Sequence, residues 1–249
     1  MDIHRVYRAL GTGFRRRRMR RFERVFRLTA RTRILDVGGT RDAWELVAAQ
    51  PRVTLLNLDR AALAKDEHGR FAAVTASGLR LPHADGAFDV AFCNSVIEHV
   101  GARDAQAALS EELRRVARGL WVQTPARAFP VEPHLLTPFF QFLPRRWQRR
   151  LARNFTVWGW LTRPDRERAR EMVDAISLLG YREFAALFPD CEIRRERLLG
   201  WTKSYVAVRV PQGDRRSRAT RSEAKPSEGR SPSASDQRAR RPGEWGGRA

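Results

Sequence analysis

Residues 33–45 read RILDVGGTRDAWE. A short apolar run closes on Asp36-Val37-Gly38-Gly39-Thr40, and a stretch with helical spacing follows. This is how a buried strand reads when it ends in a tight turn and feeds a helix. Glycine at such a turn takes positive φ and lets backbone approach a ligand closely. The helix after it offers unpaired N–H groups. The rest of the chain decides between an ordinary turn and a ligand cradle.

Outward from this stretch, strands and helices alternate. VTLLNLD (53–59) reads as a second strand, RFAAVTA (70–76) as a weaker third, AFDVAFCNS (87–95) as a fourth and GLWVQTP (119–125) as a fifth. The fourth is almost wholly apolar, as a central parallel strand should be. RDAWELVAA (41–49) reads as a helix, and ARDAQAALSEELRRVA (102–117) as another, with Ala108, Leu109, Leu113 and Val116 as its apolar stripe. A further helix, 163–180, is expected to end at Gly180. CEIRRERLLG and KSYVAVRV, linked by Trp201-Thr202, read as two strands paired antiparallel at one end of the sheet. The rhythm predicts an α/β, doubly wound, Rossmann-like sheet.

In such folds ligands bind at the carboxyl ends of the strands, where the strand order reverses. Asp36 and the two glycines stand at the first strand's end. About twenty residues on, the second strand ends in Asp59, the spacing of an acid that accepts hydrogen bonds from ribose hydroxyls. A dinucleotide pyrophosphate needs G-x-G-x-x-G, but here the second and third glycine positions hold Thr40 and Ala43. An adenosyl cofactor without phosphate does not need that cradle.

With ILDVGGT, LNLD and LRLPHADGAFDVAFCNSVIEHV in order, the chain resembles the class I S-adenosylmethionine-dependent methyltransferases, and most of all the methyltransferase type 11 group. The resemblance spans about residues 20–210 and implies a seven-stranded sheet with an antiparallel C-terminal strand. It also implies S-adenosyl-L-methionine as cofactor. By the same resemblance, Asp36 with the Gly38 and Gly39 backbone would hold the methionine part and Asp59 the ribose. Leu58 and Arg60 would flank the adenine, Ser77 would stand where the family often has an acid for the adenine amine, and Asn94 would line the pocket near the methyl group. Glu98 and His99 would lie on a helix starting beside the donor, Glu98 as a structural anchor. His99, and His134 in the insertion that would cover the acceptor, are the candidate catalytic residues. Asp89 reads as organising local turns, and Cys93 as a small buried hydrophobe.

The charge of +20 is uneven. Residues 1–31 hold eleven arginines against Asp2 and Glu23, and residues 212–249 hold ten basic residues against five acids. Three segments follow: a basic N-terminal helical segment (1–31), the methyltransferase domain (32–211) and a disordered basic tail (212–249), poor in large apolar residues. Within 14–29, Met19, Phe22, Val25 and Phe26 form an apolar face. The arginines around them suit either solvent or an anionic lipid or nucleic-acid surface. Two cysteines suit a reducing compartment. No transmembrane run or signal peptide is expected, so the expected location is cytoplasmic. The five histidines are scattered at no metal-ligand spacing, so no metal is expected.

The insertion, 125–162, is rich in proline, aromatics and arginine. Phe139, Phe140, Phe142 and Leu143 adjoin Arg145, Arg146, Arg149, Arg150 and Arg153, with Trp147, Trp158 and Trp160 interleaved. Such a segment serves either as a lid or at the headgroup boundary of a membrane, which would place the protein peripherally at its inner face. The element after the fourth strand, CNSVIEH, lacks the proline of enzymes that grip a base amine. The favoured acceptor is therefore a small molecule, a lipid-linked intermediate or a glycan precursor. An RNA or other nucleic-acid methyltransferase guided by the basic ends, and a non-catalytic binding protein of this fold, are the competing readings.

Overall fold

The computed structural model describes residues 3–59 and 69–211, with the backbone alone at 3–12. Arg60 and the basic tail from 212 lie outside the described residues.

The five expected strands form: β1 (Arg33–Val37), β2 (Arg52–Asn57), β3 (Phe71–Thr75), β4 (Phe88–Asn94) and β5 (Ala117–Pro125). A C-terminal hairpin adds β8 (Glu192–Leu198) and β9 (Trp201–Arg209). Together they make one seven-stranded sheet in the order β3-β2-β1-β4-β5-β9-β8. The pairs among β1 to β5 are all parallel, and β9 runs antiparallel to both β5 and β8. The hairpin turns at Leu199-Gly200, both at positive φ. Trp201 and Thr202, read from sequence as the link, belong to β9.

Period-two alternation sorts the central strands onto two apolar faces. Ile34, Val90, Phe92, Trp121 and Val208 point to one face, where Met19, Phe22, Val25 and Phe26 of α1 (Ile3–Phe26) pack with Trp44. The apolar stripe of the first helix is thus core. Leu35, Ala91, Cys93, Leu120 and Val122 point to the other face, against Leu109, Leu113 and Val116 of α2 (Arg103–Val116) and Phe184 of α6 (Tyr181–Leu187). Asp89 accepts from the Arg33 backbone N–H at 2.9 Å, a bond between the starts of β4 and β1.

Two expected helices differ. Residues 41–49 form only a 3-10 turn, Arg41–Leu46. Trp44 is pulled into the core there with its indole N–H on Asp36, and Pro51 excludes an α conformation for Gln50, which sits at φ 46°. The helix expected over 163–180 stops at Asp174 as α5 (Arg166–Asp174). Residues 175–179 leave it to make backbone bonds elsewhere: Ser177 N–H to Glu98, and the Leu179 carbonyl to Arg127. Gly180 does not end that helix but precedes α6, its N–H donating to Glu183 at 2.7 Å.

The insertion folds on a small core of its own, Leu135, Phe140, Ala152, Trp158, Ala169 and Val173. It comprises a two-stranded ribbon, β6 (Val131–Glu132) with β7 (Thr137–Pro138), then α3 (Arg145–Leu151) and α4 (Val157–Thr162).

Candidate active site

The turn after β1 is shaped by contacts that admit only glycine. Gly38 has φ +73°, and a Cβ there would lie 2.5 Å from Val96 Cγ2. A Cβ on Gly39 would lie 1.8 Å from Asp36 Oδ2, so the carboxyl packs directly against the turn. Asp36 is 1% exposed and accepts from Trp44 Nε1 at 2.7 Å through Oδ2. Its Oδ1 is buried and has no hydrogen-bond partner. Burial pushes this carboxyl up to about 7, against which the Trp44 bond pulls only partly.

The sheet order sets the other residues expected to hold the cofactor on the same edge. Asp36 pairs in register with Leu55 on β2 and with Phe92 on β4. Leu58 and Asp59 follow the end of β2, both exposed, Leu58 at 75%. Ser77 follows β3, its Oγ accepting from the Leu79 N–H at 3.2 Å. Asn94 closes β4. The ends of four neighbouring parallel strands thus carry Ser77, Asp59, the glycine turn and Asn94.

Arg18 reaches the end of β4, a placement that periodicity hid. It falls within a run of four arginines whose expected place was solvent or an anionic surface. Instead its Nη1 donates to Asn94 Oδ1 at 2.7 Å and Gln123 Oε1 at 3.0 Å. Its Nε and Nη2 form a two-point bond to Glu196 on β8. Burial raises the Glu196 carboxyl, but Arg18, with Ser204 and Lys203, outweighs it and holds the group below its ordinary range. The first helix thereby ties the tips of β4 and β5 to the edge hairpin.

Beyond Asn94 the chain makes a 3-10 turn, Ile97–His99, in place of the expected helix. Glu98 is fully buried: Oε2 accepts from Thr124 Oγ1 at 2.9 Å, and Oε1 has no hydrogen-bond partner. Burial raises its carboxyl, tempered by its own backbone N–H, His134 and Thr124. The rings of His99 and His134 meet edge to face, 4.7 Å between centroids. His134 Nδ1 lies 2.7 Å from Oε1 of the buried Glu132, whose Oε2 receives the Leu135 N–H. Burial alone would lower His134, but the Glu132 bond and charge, with Glu98, raise it above the ordinary histidine value. Burial and then His134 lower His99, opposed by its bond to the Ala175 carbonyl. The expectation of scattered histidines is corrected here: donor atoms of Glu98, His99 and His134 all lie within 4.8 Å of one another. The cause is tertiary, because the ribbon of the insertion carries His134 across thirty-five residues of sequence to the end of β4.

A cavity of about 280 Å³ opens beside this cluster. It is lined by Arg127, Glu132, Phe140, Gln141, Arg145 and Ser177 among others, so the insertion and the segment after α5 build it. Glu132 lines the cavity and holds His134, and Ser177 lines it and bonds the Glu98 carbonyl, so the cavity wall adjoins the cluster through these two residues.

A parallel α/β sheet with one reversed strand beside its C-terminal edge, carrying a glycine turn and flanking polar groups on one rim, defines the architecture of class I methyltransferases. Residues 35–119 match the family model described as a methyltransferase domain. Two solved structures share the fold. One is 1,6-didemethyltoxoflavin-N1-methyltransferase of Burkholderia thailandensis, with TM-score 0.50 and 14% identity over 78% of this chain and 76% of that one. The other is described as a possible exported protein of Bordetella parapertussis, with TM-score 0.53 and 14% identity over 80% and 68%. No curated protein sequence matches the chain significantly.

Proposed function

We propose that the chain methylates a small-molecule, lipid-linked or glycan-precursor acceptor bound beneath the insertion. The observation that carries this reading is the shared wall between the 280 Å³ cavity and the Glu132–His134–His99 cluster, at the end of the strand whose last residue is Asn94. The cofactor side fits an adenosyl sulfonium: Asp36 keeps an unpartnered buried oxygen beside a turn that excludes side chains, which suits a cationic amino group. Gly38 and Gly39 would hold the methionine part with Asp36, Asp59 the ribose, Leu58 and Arg60 the adenine faces and Ser77 its amine. Asn94, fixed by Arg18, would stand near the methyl. When bound, the cofactor supplies a methyl group already activated by its sulfonium, so alignment of the acceptor is the chain's main task. His99 and His134 are the residues proposed to orient the acceptor and receive its proton, with Glu132 holding the His134 ring.

A second reading concerns location. No described helix is long and apolar enough to cross a membrane. Phe139, Phe142, Trp147, Phe155 and Trp160 are nevertheless exposed on the insertion, Trp160 at 70%, among Arg146, Arg149, Arg150, Arg153 and Arg163. Aromatics among cationic heads favour peripheral contact with an anionic bilayer, the setting for a lipid-linked acceptor.

The test of the acceptor reading uses S-adenosylmethionine labelled at the methyl, incubated with small-molecule, lipid and RNA fractions of a cell extract. Label is expected in the first or second fraction and is expected to fall at least tenfold with His134→Ala. Label in RNA alone would overturn the reading.

A further inference from the structure

We propose that Glu98, His99 and His134 bind a divalent first-row transition-metal ion, with Zn²⁺ the best-fitting ion. This replaces the proton-accepting role of the two histidines with ligation of an ion that orients the acceptor, and it rests on the acceptor-site reading only for what the ion would do. Two imidazoles and one carboxylate form a donor set that catalytic zinc and other first-row sites use with positions left open. The three donor atoms lie within 4.8 Å of one another. A filled tetrahedral site with bonds of ~2.1 Å separates its donors by ~3.4 Å, so small side-chain rotations close the set.

Each donor also has an outer partner of the kind that holds a metal ligand. Glu132, itself buried, lies 2.7 Å from Nδ1 of His134 and holds that ring. The Ala175 backbone lies beside the His99 ring and favours its protonated form. Thr124 donates to one oxygen of Glu98. The other oxygen, Oε1, is buried and lacks a hydrogen-bond partner, a costly state for a carboxyl group unless something else coordinates it. A bound cation would give that oxygen a partner. Three protein ligands leave at least one position for an acceptor oxygen, whose hydroxyl a Zn²⁺ ion would make far more acidic.

The full chain, freed of metal by chelator and dialysis, is titrated with Zn²⁺ by calorimetry and with Co²⁺ by visible absorption. One ion per chain is expected, with the d–d bands of low-coordinate cobalt and a rise in melting temperature on adding Zn²⁺. His134→Ala and His99→Ala are each expected to abolish the cobalt spectrum, and Glu132→Gln to weaken Zn²⁺ about 10–100-fold. His83→Ala, a histidine beside Phe88 and Arg115, should bind Zn²⁺ as the parent does. Glu98→Gln is expected to weaken Zn²⁺ as well; should it fail to fold, the parent spectrum and the two histidine variants carry the test. A parent chain that takes up no Zn²⁺, or binding unchanged in both histidine variants, overturns the proposal. S-adenosylhomocysteine is titrated into the same samples. Its binding without metal uptake overturns this inference alone, and metal uptake without its binding overturns the cofactor reading alone.

Discussion

Replacing Asp36 with asparagine should make the cofactor-free protein more stable at neutral and alkaline pH. The carboxyl is buried and titrates near 7 in the folded chain, against 3.8 when exposed. Between these values the folded state keeps a proton that the unfolded chain has released. The raised acid therefore contributes fully below about pH 4, and that contribution is lost as pH rises through 7. At about 1.4 kcal/mol for each pH unit the loss sums to about 4 kcal/mol by pH 7 to 8. Asparagine has the same shape, its amide oxygen still accepts from the Trp44 indole, and it never ionises. The titratable neighbour in electrostatic contact, Cys93, is pushed well above its ordinary range by burial, Glu98 and Asp36, and stays neutral over this span. Urea melts of parent and Asp36→Asn from pH 4.5 to 8 are the assay, and the difference between them removes every other titrating group. The variant's advantage over the parent should be about 1 kcal/mol near pH 4.5 and grow to about 4 kcal/mol at pH 8. Parallel curves would refute the reasoning. S-adenosylhomocysteine, whose amino group is cationic, should stabilise the parent at pH 8 more than the variant.

Arg18→Ala strips Glu196 of its two-point partner in a pair whose side chains are only 11% and 14% exposed. Breaking one side of such a pair costs about 3–5 kcal/mol, visible in thermal melts, whereas Arg16→Ala on the exposed face should change stability by under about 0.5 kcal/mol. The insertion's exposed aromatics predict flotation with anionic vesicles at low salt, weakened by high salt. Phe155→Ser with Trp160→Ser should lower the floating fraction severalfold while leaving the melting temperature within about two degrees of the parent.

The sheet was legible because parallel strands buried on both faces read as apolar runs. AFDVAFCNS and RILDV follow that pattern, and the glycines that end β1 stand where the turn needs positive φ and an absent Cβ. The 3-10 turn at Arg41–Leu46 was not legible, since its sequence favours helix. The bond from Trp44 to Asp36 is a tertiary preference that overrides it. The same holds for residues 175–179, whose backbone partners, Glu98 and Arg127, are distant in sequence. His99 and His134 were legible singly, but their meeting depends on the β6–β7 ribbon, whose two-residue strands give too short a pattern to read. Arg18 was hidden by its neighbours, because one buried arginine in a run of four leaves no mark on composition or spacing. Asn94 and Gln123, paired in register on β4 and β5, both accept from Arg18.

Titrating S-adenosylhomocysteine into the parent protein, with Gly39→Ala as its control, tests the cofactor rim most directly. A methyl group at position 39 would collide with the Asp36 carboxyl, so the parent should saturate at one molecule per chain and the variant should lose at least tenfold in affinity. No heat from the parent, or equal affinities in the two proteins, would contradict the placement of the cofactor at this turn.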